Sequence, residues 1–266
     1  IGPVRKMNGL GDNKDRSYVY ELLPSIPHWK EPVMYQTSGD FTIEFSPGKW
    51  RISLEHGNEY IPIKEEFIIP KNKKKELTKT FILKRWTDLP KLGWYSGDVH
   101  VHHPTTKLMF REYLLTYAKA EDLHLLNVLE QGNDHEISGA RQAGFGKAFR
   151  VFKNNIWLVS GQEDPSSNFG HVVGLNIDQL VRDTATYNYY DLVFKRLHLQ
   201  PGALVGFAHF SWNGCDLPRG FPWLITTGEI DYVELLQFSK INTLDYYDYL
   251  NLGFRMTAAA GSDFPW

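Results

Sequence analysis

Seven residues in the last two-thirds of this 266-residue chain border short apolar runs with side chains that bind metal ions: His100, His102, His135, Glu163, His171, His209 and Asp263. Two sit in Asp98-Val99-His100-Val101-His102. On a strand alternate side chains share a face, so Asp98, His100 and His102 point one way and the valines the other. Two imidazoles so placed can reach one divalent ion, and the Asp98 carboxylate is expected to orient them as an outer acceptor. Glu163 ends the run Trp157-Leu158-Val159-Ser160-Gly161-Gln162, and its two carboxylate oxygens could bridge two cations. His171 and His209 open or close apolar runs, and Asp263 follows the small residues Ala258 to Ser262. Each has a bland alternative: a paired strand histidine, a loop acid, a hydrogen-bonded core imidazole, a turn aspartate. Their recurrence at successive strand ends, where α/β folds gather their chemistry, favours a multinuclear metal site. His28 and His56 stand without such partners, and His124 and His198, inside helical windows, read as structural.

The elements that must position them change character along the chain. Residues 1–88 read as a small all-β sandwich, with strand candidates at 41–45, 49–54, 65–69 and 79–83 separated by turn-forming residues. The basic run Lys71-Asn72-Lys73-Lys74-Lys75 reads as a solvated hairpin turn. Residues 89–266 alternate strand-like runs with amphipathic windows. Strands are expected at 126–129, 156–160, 172–177, 203–208, 232–238 and 256–260, and helices at 109–125, 189–199 and 244–252. This is an α/β pattern.

Composition narrows the classes. Hydrophobic content of 42%, charged content of 23% and a formal charge of −2 describe a globular chain with no general basis for binding nucleic acid. No apolar stretch approaches the ~20 residues that span a bilayer, so no membrane insertion is expected. The single cysteine, Cys215, excludes an internal disulfide and a cysteine-built zinc site. Starting at Ile1, the chain reads as a processed or trimmed piece, and its compartment is open, with the β-domain pairing pointing weakly to an extracytoplasmic site.

The motif set Asp98-Val99-His100-Val101-His102, Asn133-Asp134-His135-Glu136, Gly161-Gln162-Glu163, His171, Ala208-His209 and Gly261-Ser262-Asp263 resembles the PHP (polymerase and histidinol phosphatase) superfamily. Within it, Arg85-Trp86-Thr87-Asp88-Leu89-Pro90 through Asp98, with Ser46-Pro47-Gly48 and Glu55-His56-Gly57-Asn58, is similar to the carbaryl-hydrolase-like (CehA/McbA-like) branch, which joins a carboxypeptidase-regulatory-like β-domain to the PHP domain. The resemblance implies a distorted (β/α)7-type barrel. It implies His100, His102 and Asp263 on one metal, His171 and His209 on a second, and Glu163 between them. In trinuclear members a third ion uses the position of His135 and a histidine where this chain has Pro265, so His135 or His103 is assigned instead to substrate contact or proton donation.

The function expected is a binuclear hydrolase of a small molecule, in which a hydroxide bridging two divalent ions attacks a carbamate, carboxylic ester or amide. Zinc is the first choice of metal, with manganese or iron as alternatives. Phe210 and Trp212, with Phe238 and Trp266, are candidates for an aryl pocket, core packing being the alternative. A phosphoesterase using Arg111, Arg141 or Lys147 at the mouth is the second reading. A binding protein with structural metals is the third.

Overall fold

The computed structural model describes residues 18–19, 35–36, 39, 47–71, 78–103, 108–131, 146–166, 170–183, 185–210, 220–237, 240–241 and 243–264. His135, Trp212, Trp266, Arg141, Cys215 and the strand expected at 41–45 lie outside them, as does most of the lysine run. Two compact units form. One comprises Ile1–Ser96 with Tyr113–His124, the other Gly97–Glu112 with Leu125–Trp266.

In the first unit the described strands pair only two by two. β1 (Tyr18–Val19) pairs with β2 (Tyr35–Gln36), β3 (Gly48–Leu54) with β5 (Ile63–Ile69), and β4 (Tyr60–Ile61) with β6 (Lys84–Arg85), all antiparallel. Two-stranded ladders are less than the sandwich expected from the alternation. The run at 79–83 carries no ladder; pairing begins only at Lys84. What ties this region down is polar: Arg85 bonds Glu59 at 2.6 Å and Asp122 at 2.5 Å, with its guanidinium 4.6 Å above the Tyr60 ring.

The second unit holds the barrel. β7 (Gly97–Val101), β8 (Leu125–Gln131), β10 (Ile156–Ser166), β11 (Gly170–Leu175), β12 (Leu204–Phe207), β13 (Tyr232–Gln237) and β15 (Thr257–Ala260) follow one another around one sheet. Beyond β15, Phe264 bridges in parallel to Val101 of β7, and Asp263 N–H donates to the His100 carbonyl at 2.9 Å. The ring is therefore nearly closed. Neighbours run parallel except around β11, which is antiparallel to both β10 and β12. Two short strands flank the ring: β9 (Val151–Lys153) on β10 and β14 (Lys240–Ile241) on β13.

The helices are α1 (Leu108–Ala120), α2 (Tyr190–His198), α3 (Phe221–Thr227) and α4 (Leu244–Asn251). The window expected at 109–125 ends early: the chain turns at Asp122 (φ 53°), and Leu125 already belongs to β8. α3 is not legible in the sequence, because seven residues with Pro222 near their start give too short a period to detect. Tyr190, Val193, Phe194 and Leu197 of α2 pack with Val205 and Phe207 of β12 and with Phe221, Leu224 and Ile225 of α3. Inside the ring, Leu129, Val173, Leu175, Ala208 and Tyr232 form a second apolar cluster. His171, Val173 and Leu175 alternate on one face of β11, so this apolar floor and the imidazole belong to the same side of the strand. No described helix is long and apolar enough to cross a membrane.

Candidate metal centre

The candidate side chains arrive from five segments at one end of the ring. His100 and His102 lie at the carboxyl end of β7, Glu163 in the last third of β10, His209 just past β12, and Asp263 just past β15. His171 opens β11 rather than closing it. Because β11 runs against its neighbours, its start lies at the same end as theirs finish, across from Pro165 and Ser166 of β10.

They converge closely. His100 Nε2 lies 3.0 Å from His102 Nε2, 3.5 Å from Glu163 Oε1 and 3.3 Å from Asp263 Oδ1. His102 Nε2 is 3.1 Å from Glu163 Oε2 and 3.3 Å from Asp263 Oδ1. His171 Nδ1 meets Glu163 Oε1 at 2.9 Å, and His209 Nε2 stands 3.6 Å from the same oxygen and 3.8 Å from Asp263 Oδ2. Three overlapping ligand sets result: His100, His102 and Glu163; His100, His209 and Asp263; Glu163, His171 and His209. Glu163 faces all four imidazoles.

The backbone is bent to achieve this. His209 (φ 54°) and Asp263 (φ 57°) are in the left-handed region, where a non-glycine residue costs about 1–3 kcal/mol. The other described non-glycine residues at positive φ are Asn or Asp, which with His are the residue types found there most often. Glycines of the motifs make room. A Cβ on Gly161 would lie 2.5 Å from the Gly174 carbonyl oxygen, and one on Gly261 2.5 Å from His100 Cβ.

The charge balance tests the fit to metal. Glu163 (1% exposed), Glu234 (1%) and Asp263 (9%) are carboxylates gathered around imidazoles; were the imidazoles neutral, negative charge would be buried without compensation. Burial alone would raise Glu163, yet hydrogen bonds from His100, His102, His171 and His209 hold its carboxyl well below the usual range. Burial likewise opposes charge on His100, but the Glu234 carboxylate, then Glu163, holds its imidazole well above the histidine range. His102 and His209 are raised against burial as well, His102 by hydrogen bonding to Asp263 and Glu163, His209 by hydrogen bonding to Glu163. The cluster thus demands positive charge, from protons or from cations. Imidazoles and carboxylates are a donor set suited to zinc, manganese or iron, and these residues fit such ions.

Stability without metal and stabilisation by metal should therefore depend on pH with opposite signs. In the metal-free protein, stability from a raised histidine is complete below the unfolded histidine range and is lost as pH rises through the folded value; that from Glu163 is lost only as pH falls into the acid range. Cation uptake needs the same imidazoles deprotonated, so it strengthens as pH rises. Thermal melts from about pH 6 to about pH 9 should show the chelator-treated protein losing stability while the increment from added Zn(II) grows. Parallel trends would contradict this electrostatic account.

Two expectations are corrected. The Asp98 carboxylate is not what orients the imidazoles: Oδ1 accepts the backbone N–H groups of His100 (3.1 Å) and Ser262 (2.9 Å), stapling β7 to the segment before Asp263. Glu234, which no sequence motif singles out, takes the orienting position, with His100 Nδ1 2.9 and 3.1 Å from its two oxygens. Phe210 is 1% exposed and packs edge-on against Phe221 at 4.7 Å, so it belongs to the core and not to a substrate pocket. His103 follows His102 and is half-buried. The histidines read as structural have local partners: His198 joins Glu229 (3.0 Å) and Asp231 (2.8 Å), and His124 meets Ser96 (3.0 Å).

No family model matches the sequence, and none of the curated proteins does. Among solved structures, the chain is similar to a two-domain protein from Bacteroides vulgatus containing a predicted PHP-like metal-dependent phosphoesterase (14% identity, 64% of this chain and 51% of that one, TM-score 0.45). It is also similar to PsfC from Pseudomonas syringae (17%, 63% and 75%, TM-score 0.46) and to the lesion-specific endonuclease PfuEndoQ from Pyrococcus furiosus (14%, 64% and 48%, TM-score 0.33). The match thus spans about half of the first and third of these proteins. These likenesses are faint, and the chemistry rests on the side chains themselves.

Proposed function

We propose that this chain is a metal-dependent hydrolase of PHP type, acting on an ester-like bond of a small molecule. The observation that carries the reading is one carboxylate, Glu163, faced by four imidazoles from three separate segments, with Asp263 alongside. His100, His102 and Asp263 would hold one divalent ion and His171 and His209 a second, with Glu163 shared. Ions bound there would supply an activated water and a counter-charge for the developing anion. The chain's own part is to hold lone pairs inward. Glu234 accepts the His100 Nδ1 proton and Gln237 Oε1 the His209 Nδ1 proton, which turns the Nε2 lone pair of each ring toward the cluster. His103 or His135 would give a proton to the leaving group.

The branch resemblance favours a carbamate, carboxylic ester or amide. One observation favours phosphoesters as the second reading: the core position of Phe210 removes a ring from the proposed aryl pocket. Elemental analysis should find about two divalent ions per chain, and parallel assays with aryl phosphate, aryl ester and aryl carbamate should find turnover of one class that a chelator abolishes. Full metal occupancy with no hydrolysis in any arm would favour instead a binding protein with structural metals.

A further inference from the structure

Two of the imidazole nitrogens that face away from the cluster are held by one strand. His100 Nδ1 meets the Glu234 carboxylate, and His209 Nδ1 donates to Gln237 Oε1 at 2.5 Å. Glu234 and Gln237 are three residues apart, and on an unbroken strand such residues face opposite sides. β13 is not unbroken. Glu234 pairs with Ala259 and Leu236 with Ala260, so two steps on β13 answer one step on β15. That bulge re-aims the end of the strand: Leu236 is 40% exposed and Gln237 is buried again.

The strand therefore backs one imidazole with a carboxylate and the other with a carboxamide. We infer that β13 makes the two cation positions unequal: a tight one built on His100 and His102, and a weaker, exchangeable one built on His171 and His209. This rests on the metal-centre reading proposed for the cluster. An acceptor on Nδ1–H fixes the tautomer in both cases, but only the anionic acceptor also increases electron donation at Nε2 and adds negative potential behind it.

Three further observations agree. Glu234 and His100 are almost wholly enclosed, whereas the His171 side chain is 25% exposed, the most open of the four imidazoles. Gly261 leaves room for the His100–Glu234 pair, since a Cβ there would come within 3.2 Å of Glu234 Oε1 as well as against His100. Gln237 keeps its Nε2 buried without a hydrogen-bond partner among the described residues, which costs about 1–3 kcal/mol. It is the oxygen of this side chain, and not its nitrogen, that meets His209. Glu234 and Gln237 are positioning residues, acting only through His100 and His209.

The test is titration of metal-free protein with Zn(II) against a competing chelator, with Co(II) absorption as a second readout. Wild-type protein should take up two equivalents with dissociation constants at least about tenfold apart. Glu234→Gln should weaken the tighter step by about 10- to 100-fold while leaving the weaker nearly unchanged, and Gln237→Glu should tighten the weaker step. Gln237→Glu adds an interaction and so stays informative if Glu234→Gln folds poorly. Equal affinities in the wild type, or equal weakening of both steps in Glu234→Gln, would overturn the inference and leave the metal centre standing. No uptake by the wild type would remove the metal centre itself.

Discussion

Glu163→Gln should lose cation binding and turnover together, with kcat/KM falling by about three orders of magnitude or more. The size comes from the several kcal/mol of charge stabilisation that a bound ion contributes, each 1.36 kcal/mol being about tenfold in rate. Glutamine keeps the shape of Glu163 and one acceptor, but it puts an N–H donor and no charge before the imidazoles that now converge on a carboxylate. It therefore separates charge from packing. His102→Ala is the companion variant: it removes one ligand that lies 3.1 Å from Glu163 and 3.3 Å from Asp263. Metal content after loading, measured beside kcat/KM on the same samples, is the check. A metal-free His102→Ala protein with full activity would end the hydrolase mechanism proposed for this site.

The second large effect is on stability. Behind Glu163 lies Arg182, its side chain only 2% exposed, whose Nε donates to Asp164 Oδ1 at 2.7 Å and whose Nη2 donates to the carbonyl oxygens of Glu163 (2.9 Å) and Glu130. Successive residues of a strand face opposite ways, so Glu163 turns into the cluster while Asp164 turns toward Arg182. Burial raises Asp164 despite the guanidinium beside it, a mark of how much this carboxylate depends on that one cation. Arg182→Ala would leave the Asp164 carboxylate buried without its counter-charge and take one donor from each of two carbonyl oxygens, at a cost of about 3–5 kcal/mol. Urea unfolding would show it as a large fall in midpoint with little change in slope. Arg182→Met combined with Asp164→Leu should recover much of the loss, since what destabilises is the stranded charge. An unchanged midpoint in Arg182→Ala would mean that the network does not hold β10 in place.

Local pattern and observed element agree best in the buried strands. Strand candidates at 156–160, 203–208, 232–238 and 256–260 fall on β10, β12, β13 and β15 because short runs of β-branched and apolar residues are themselves the cause of buried strands. β10 runs further than expected, to Ser166, because its second half pairs antiparallel with β11 through Asp164 and Pro165, residues that alone suggest a loop. The sandwich expected from alternation in the first 88 residues shows only two-stranded ladders among the described residues, since alternation specifies a pleat and not a partner. Strand parity gives Asp98 the wrong task, because parity fails where the β7–β8 register breaks between Asp98 and Val101.

By itself the sequence determined the inventory: which imidazoles and acids stand at the ends of which apolar runs, and hence what kind of chemistry they could perform. Those are local properties, written in side-chain type and in periods of two. Only the tertiary structure decided what stands behind each of them. Glu234 lies 134 residues from His100, and Gln237 28 from His209; contacts at such separations leave no trace in the intervening chain and arise only when the sheet closes on itself. The same closure turned Phe210 into the core and gave His171 its place by reversing one strand, because packing, unlike periodicity, is decided by everything the chain brings together at once.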